Sequence, residues 1–337
     1  MPLEALQFDI TPTELHYVLT HFDIPFIDSR SWRLSVGGNV ARPLSLTLDE
    51  IRARASVSSP ITLECAGNGR ALLSRKTDSW MPWLYGACST AEWTGAPLGP
   101  LLDEAGVLDE AVEVLFTGAD RGIEDGIVQH FERSLPLTEA SRPEVLLAYE
   151  MNGVPLPARH GFPLRLVAPG WYGMASVKWL ERITVLDEPH TGYMQTSFVM
   201  QQRDDDPGIL VSRMAPRSLM VRPGMLNDDG VRELDSVDLH VRGRAWSGWG
   251  PIERVEVSLD GGATWGDARL EPLGSAFAWV GWTFEAALPG GGSYELCSRA
   301  TDTSGNVQPV EESWNLGGFA NNAVERVRVM VAPGQGG

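Results

Sequence analysis

Cysteine is scarce, with Cys65, Cys88 and Cys297 the only three in a chain of 337 residues. So sparse and odd a set makes no disulfide framework, and without a Cys-x-x-Cys pair a protein-only zinc or iron–sulfur site lacks ligands. A reducing, cytoplasmic setting is the expectation that follows. Positive charge is short as well. The 27 Lys and Arg against 44 Asp and Glu leave a formal charge of −17. Such a field repels phosphate backbones and anionic lipid surfaces, so neither nucleic acid nor a membrane is an expected partner. No apolar run approaches the ~18 residues a membrane helix needs. The opening Met1-Pro2-Leu3-Glu4-Ala5 has no basic and then apolar character of an export leader. Phosphate-cradling Gly-x-Gly-x-x-Gly and Walker loops, a nucleophilic Ser-His-Asp spacing and a Cys-x-x-Cys-His haem attachment site are missing too.

What is present has the makings of two folded units, since length divided by ~150 residues per domain gives about two. The first 200 or so residues mix helix and strand signals. Thr47-Leu48-Asp49-Glu50 predicts a capping box that starts a short helix. Pro97-Leu98 through Ala105-Gly106 predicts a second helix stopped by glycine. Strands are expected at Ile61-Thr62-Leu63, Glu113 to Thr117, Val145 to Tyr149 and Phe162 to Val167, with a tight turn at Asn152-Gly153. From about residue 235 short alternating strands take over, as in Val237 to Val241, Val255 to Leu259 and Tyr294 to Cys297. Asp260-Gly261-Gly262 supplies hairpin chemistry there. The fold class read from this is an α+β domain over 1–205 followed by an all-β immunoglobulin-like sandwich over 206–337. The polar stretch 201–208, punctuated by Pro207-Gly208, is the expected linker. Trp246, Trp249, Trp265, Trp279 and Trp282 are expected to fill the sandwich core and subunit contacts, with Cys88 and Cys297 buried as small apolar residues.

Cys65 stands apart from the other two thiols. It follows an apolar strand and opens into Ala66-Gly67-Asn68-Gly69-Arg70. Small turn residues let another group approach the sulfur, and the cation favours its thiolate, a soft ligand for a transition metal. With no second cysteine in reach, the remaining ligands must come from a cofactor.

Glu64-Cys65-Ala66-Gly67-Asn68-Gly69-Arg70 resembles the molybdenum-ligating segment of the sulfite oxidase family. The resemblance continues in order through Met81-Pro82-Trp83, Ala91-Glu92-Trp93-Thr94-Gly95, Tyr149-Glu150-Met151-Asn152-Gly153, His160-Gly161-Phe162-Pro163-Leu164-Arg165, Val177-Lys178-Trp179-Leu180 and Trp314-Asn315-Leu316. Blocks around Gly250-Pro251-Ile252-Glu253-Arg254 and Asp260-Gly261-Gly262 are similar to that family's dimerisation domain. The resemblance implies one molybdenum–molybdopterin (a pyranopterin dithiolene) per chain, with Cys65 as the metal ligand. It implies pterin and phosphate contacts from His21, Asp120, His160, Arg165, Ser176, Val177 and Lys178, residue types that match a pterin's donors and acceptors and a phosphate's charge. Arg70 and Trp83 fall at two substrate positions. Leu19 and Gly317 stand where the family usually carries arginine, and Tyr193 is the candidate for the family's tyrosine. Arg75, Lys76 and Arg213 are candidate replacement cations.

The function this implies is oxidation of sulfite, a small anion, to sulfate, with electrons passed to an external carrier such as a cytochrome c and the chain acting as a homodimer. No haem is expected, because the chain leaves no room for a haem module. Two rivals stand beside it. One keeps the cofactor and acts on a different S- or N-oxide; the other is a non-catalytic binding module built on the sandwich.

Overall fold

The computed structural model describes residues 1–77, 81–124, 126–227 and 231–331. The helix Leu48–Arg52 starts as its sequence dictates. The Thr47 hydroxyl accepts the Glu50 N–H at 3.1 Å, and the Glu50 carboxylate accepts the Thr47 N–H at 2.8 Å. The helix Leu98–Ala105 buries Leu98, Leu101, Leu102 and Ala105, a one-face spacing, and ends where Gly106 turns left-handed at φ 68°. Both helices are short, and the first half is built mainly from two sheets. In one, the strands run in the order Leu44–Leu46, Leu34–Gly38, Leu180–Leu186, Glu113–Glu124, Ile127–Pro136. Only the Leu34–Gly38 and Leu180–Leu186 pairing is parallel. The other joins Val57–Glu64, Cys88–Pro97, Leu146–Met151 and Val154–Pro155, with Arg165–Val167 also on Leu146–Met151. The turn between Leu146–Met151 and Val154–Pro155 holds Asn152 and Gly153 at φ 53° and 76°, the two positive values a two-residue hairpin of this kind demands.

The second half is a two-sheet sandwich. Arg217–Val221, Asp238–Trp246, Val280–Ala287 and Arg269–Glu271 form one face. The other is a six-stranded sheet centred on Ile252–Ser258, Gly292–Asp302 and Arg326–Val331. Leu239, Val241, Val255, Val257, Trp282, Leu296, Val327 and Val329 meet between them. The strand Asp238–Trp246 alternates exposed and buried residues up to Arg242 and is buried on both faces from Gly243 onward. Its far end is covered by the first half, where Trp246, Trp279 and Leu219 join the larger core. Trp249 is half exposed, unlike Trp246, Trp279 and Trp282. The 201–208 stretch expected as a linker is the loop of a small ribbon pairing Val199–Met200 with Ile209–Leu210. It is tied down by Gln202 Nε2 donating to the Trp314 carbonyl at 2.7 Å and by Leu316 N–H donating to the Gln201 carbonyl at 2.9 Å.

Candidate functional site

Residues 8–33 contain no helix or strand, so side chains must hold this segment in place. Asn152 does much of it from the hairpin turn. Its Nδ2 donates to the Thr11 carbonyl and to Thr13 Oγ1, each at 3.0 Å, while its Oδ1 accepts the Glu92 N–H at 2.9 Å. Thr11 N–H donates to the Thr90 carbonyl at 2.8 Å, and Tyr17 N–H donates to Ser89 Oγ at 3.1 Å. The segment is thereby laid across the Cys88–Pro97 strand, with His16, Tyr17, Leu19 and His21 lining an inner cavity.

The rest of that cavity is drawn from distant parts of the chain and brings together Cys65, Asp120, His160, Arg165, Ser176 and Lys178. The Glu113–Glu124 and Ile127–Pro136 ladder shifts register between Thr117 and Arg121, and this irregularity aims Asp120 inward. Asp120 is 3% exposed, and among the described residues its Oδ1 has no partner. Burial lifts its carboxyl to about 6 against the opposing pull of Lys178. His160 closes the turn Ala158–His160, is buried, and among the described residues its Nε2 has no partner. Burial first, then Arg165, pushes its pKa down to about 3, so its ring is neutral. Burial and Lys178 hold His21 at about 4, and its ring stacks on Phe131 at 5.1 Å.

Arg165 differs from a free phosphate fork. Its Nη1 and Nη2 donate to the carbonyls of His160 and Ser176, each at 3.0 Å, and its guanidinium lies 4.7 Å from the centre of the Trp93 ring. It therefore stiffens the wall as well as charging it. Lys178 Nζ donates to the Leu19 carbonyl at 2.8 Å, and burial lowers its pKa to about 8. Ser176 Oγ accepts the Ala168 N–H. Val177 lies in the core rather than on the cavity wall, its carbonyl bonded to Leu166 N–H.

An outer chamber adjoins this cavity and shares Leu19, His21, Cys65 and Phe198 with it. Cys65 thus stands at the junction. Its N–H donates to the Ala87 carbonyl at 2.8 Å and its carbonyl accepts the Asn68 N–H at 2.9 Å. The expected activation by Arg70 is only part of the balance. Burial raises the thiol pKa more than the Gly67 N–H and Arg70 lower it, so a metal that took this sulfur as ligand would have to complete the deprotonation. Arg70 and Trp83 both line the outer chamber, as do Tyr193, Glu124 and Phe319. The Arg70 guanidinium packs so closely on Gly67 that a Cβ there would sit 2.8 Å from Cζ. It also lies 4.9 Å from the centre of the Phe319 ring. A Cβ on Gly317 would meet that ring at 2.3 Å, so the bare residue at a position usually arginine is what lets Phe319 cover Arg70. Trp83 presents a buried indole N–H with no partner among the described residues. Arg75, Lys76 and Arg213 do not replace the missing arginines. Arg75 stacks on Trp314, Lys76 donates to the Ala71 and Leu73 carbonyls, and Arg213 pairs with Glu139 at 2.6 Å. Among the described residues, Arg70 is the single cation lining the outer chamber.

This donor set fits a pterin cofactor. Asp120 and His160 offer unpartnered buried acceptors, Arg165 and Lys178 offset a phosphate's charge, and Cys65 reaches the wall where inner cavity and outer chamber meet. Sequence reading missed Tyr17, Phe198, Phe319 and Glu124, which carry no motif of their own. His16 was missed too, although its place five residues before His21 in an irregular segment was visible.

Comparisons with known proteins agree with this geometry. Residues 21–194 match the family model described as "Oxidoreductase molybdopterin binding domain", and residues 212–332 match "Mo-co oxidoreductase dimerisation domain". The chain is 39% identical to sulfite oxidase of Gallus gallus over 334 residues, covering 94% of this chain and 72% of that protein. It is 37% identical to mitochondrial sulfite oxidase of Homo sapiens, covering 96% of this chain and 62% of the relative. Several of these relatives are thus much longer than the part this chain spans. The sulfane dehydrogenase SoxCD of Paracoccus pantotrophus superimposes with a TM-score of 0.84 at 29% identity, over 97% of this chain and 82% of that one.

Proposed function

The chain belongs to the sulfite oxidase family, and on that premise we propose that it oxidises sulfite to sulfate at one molybdenum–molybdopterin per chain, without haem, and passes the electrons to an external carrier such as a cytochrome c. One observation carries the reading: Cys65 sits where a cavity suited to a pterin meets a chamber holding Arg70 and the buried Trp83 N–H, which has no partner among the described residues. When bound, the cofactor supplies oxygen-atom transfer and takes up the two electrons that sulfite gives up as one water oxygen is added and two protons leave. The protein's residues hold and orient. Cys65 ligates the metal, while His21, Asp120, His160, Ser176 and Lys178 hold the pterin and its phosphate, with Arg165 bracing their wall. Arg70 gives the anion a charge-assisted hydrogen bond, and Trp83 adds a neutral donor. Phe198, Phe319 and Leu19 keep water from crowding the reacting end. The sulfite oxidases among the relatives weigh against an S- or N-oxide substrate and against a non-catalytic binding module.

Protein of confirmed molybdenum content is expected to reduce ferricyanide when sulfite is added, and Arg70→Met to lose about 10- to 100-fold in kcat/KM, the worth of one hydrogen bond to a charged group. No turnover at millimolar sulfite would refute the substrate assignment. The dimer is tested by sedimentation at micromolar concentration, where a species of twice the 36.8 kDa chain mass is expected. A single-chain species would remove it.

A further inference from the structure

His16 has no part in the family blocks quoted above, yet it is one of the most confined side chains in the inner cavity. It is 5% exposed. Its ring is stacked on Tyr17 at 5.4 Å, set edge-on to Trp93 at 5.8 Å, and edge-on to His160 at 5.2 Å. Three aromatic neighbours leave it little freedom to turn.

Its protonation follows from its partners. Nδ1 lies 3.0 Å from the Tyr17 carbonyl oxygen, which can only accept, so Nδ1 carries the hydrogen. Burial first, then the neighbouring His160 and Arg165, push the ring's pKa far down and keep it neutral. Nε2 is then a lone-pair acceptor, and it has no partner among the described residues. His160 shares the feature that matters here, a buried Nε2 with no partner among the described residues. Both residues line the same cavity. Two adjacent neutral imidazoles with their second nitrogens unsatisfied are costly in an empty protein, since each buried acceptor left bare forfeits a hydrogen bond. A ligand edge rich in N–H donors removes that cost.

We propose that His16 is a cofactor-holding residue whose Nε2, like that of His160, accepts a hydrogen bond from an N–H donor of the pterin. This rests on the functional reading above and adds to it a second imidazole acceptor. The two imidazoles read the donor edge of the ring system, while Arg165 and Lys178 serve the anionic part of the cofactor.

Two substitutions separate the two nitrogens. In His16→Asn the amide N–H can still reach the Tyr17 carbonyl, but the acceptor at the Nε2 position is gone. In His16→Gln an amide oxygen can reach the Nε2 position, and the short bond to Tyr17 is lost. The full chain, expressed with its cofactor, is assayed for pterin by the fluorescence of the oxidised, released ring and for molybdenum, before and after prolonged dialysis. Melting of the cofactor-stripped proteins reports the fold separately. His16→Asn is expected to hold the pterin about 10- to 100-fold more weakly than the wild type, and His16→Gln to stay within a few-fold of it. Any result in which the Gln variant does not outlast the Asn variant overturns the assignment. A wild-type protein that yields no pterin overturns the functional reading itself, a result visible before either variant is compared.

Discussion

Cys65→Ser is expected to abolish sulfite turnover, a fall of at least about 100-fold, since even substitutions one shell out from a metal ligand cost 10- to 100-fold. A serine oxygen in place of the sulfur is a hard donor that stays protonated near neutral pH, where the metal calls for a soft thiolate. The fold should survive the change. Cys65 is anchored through its own backbone, by its N–H to Ala87 and its carbonyl to Asn68, and serine keeps both bonds and nearly the same volume. Cys297→Ser is the matched control. That thiol is buried in the sandwich strand Gly292–Asp302, where burial pushes its pKa to about 11, and it lines neither the cavity nor the chamber. Turnover retained by Cys65→Ser, or lost equally by Cys297→Ser, would contradict the ligand assignment. The metal content of each protein says whether the loss is one of binding or of chemistry.

The local elements of this fold were legible because their causes are local. Thr47 and Glu50 cap a helix through contacts three residues apart, Gly106 stops one by its own backbone freedom, and Asn152-Gly153 makes its turn wherever it is placed. The site residues with a fixed neighbourhood in sequence, such as Cys65 with Arg70 and His160 with Arg165, were legible for the same reason. Long-range packing hid the rest. Nothing near Asp120 in sequence announces the register shift that turns it inward, and nothing near Phe319 announces that Gly317 leaves room for its ring over Arg70. Nothing in the block His160 to Arg165 announces that the guanidinium of Arg165 also braces the backbone carbonyls of His160 and Ser176. Trp246 is one of the tryptophans expected in the sandwich core or a subunit contact. The end of its strand, Asp238–Trp246, is covered by the other half of the molecule instead, and that contact reaches the loop that presents Cys65.

Glu64 precedes Cys65 and is completely buried, with its Oε1 2.7 Å from Nε of Arg217, itself 1% exposed. Trp246 Nε1 donates to the other carboxylate oxygen at 2.8 Å, and Asn68 Nδ2 donates to Oε1 at 2.9 Å. Arg217 Nη2 donates onward to the carbonyls of Asn68 and Asn321, and Asn321 Nδ2 returns to the Gly69 carbonyl at 2.8 Å. Arg217, Trp246 and Asn321 all come from the second half of the chain. The half that matches a dimerisation domain therefore also clamps the loop that presents Cys65. Desolvation makes such a pair a weak source of net stability, but removing one partner leaves an unpaired charge in the interior. Arg217→Met and Glu64→Gln are each expected to cost about 3–5 kcal/mol of unfolding free energy, read as a lowered urea midpoint in cofactor-free protein. The double variant, which buries no charge, should cost clearly less than the two losses added together. Single variants within about 1 kcal/mol of the wild type, or losses that simply add, would mean the ion pair does not hold this loop. The clamp also sets an order for the two effects. A loosened Asn68 and Gly69 should show first as faster release of molybdenum from Arg217→Met at temperatures well below its melting point, because the loop that presents Cys65 loses its braces before the two cores separate.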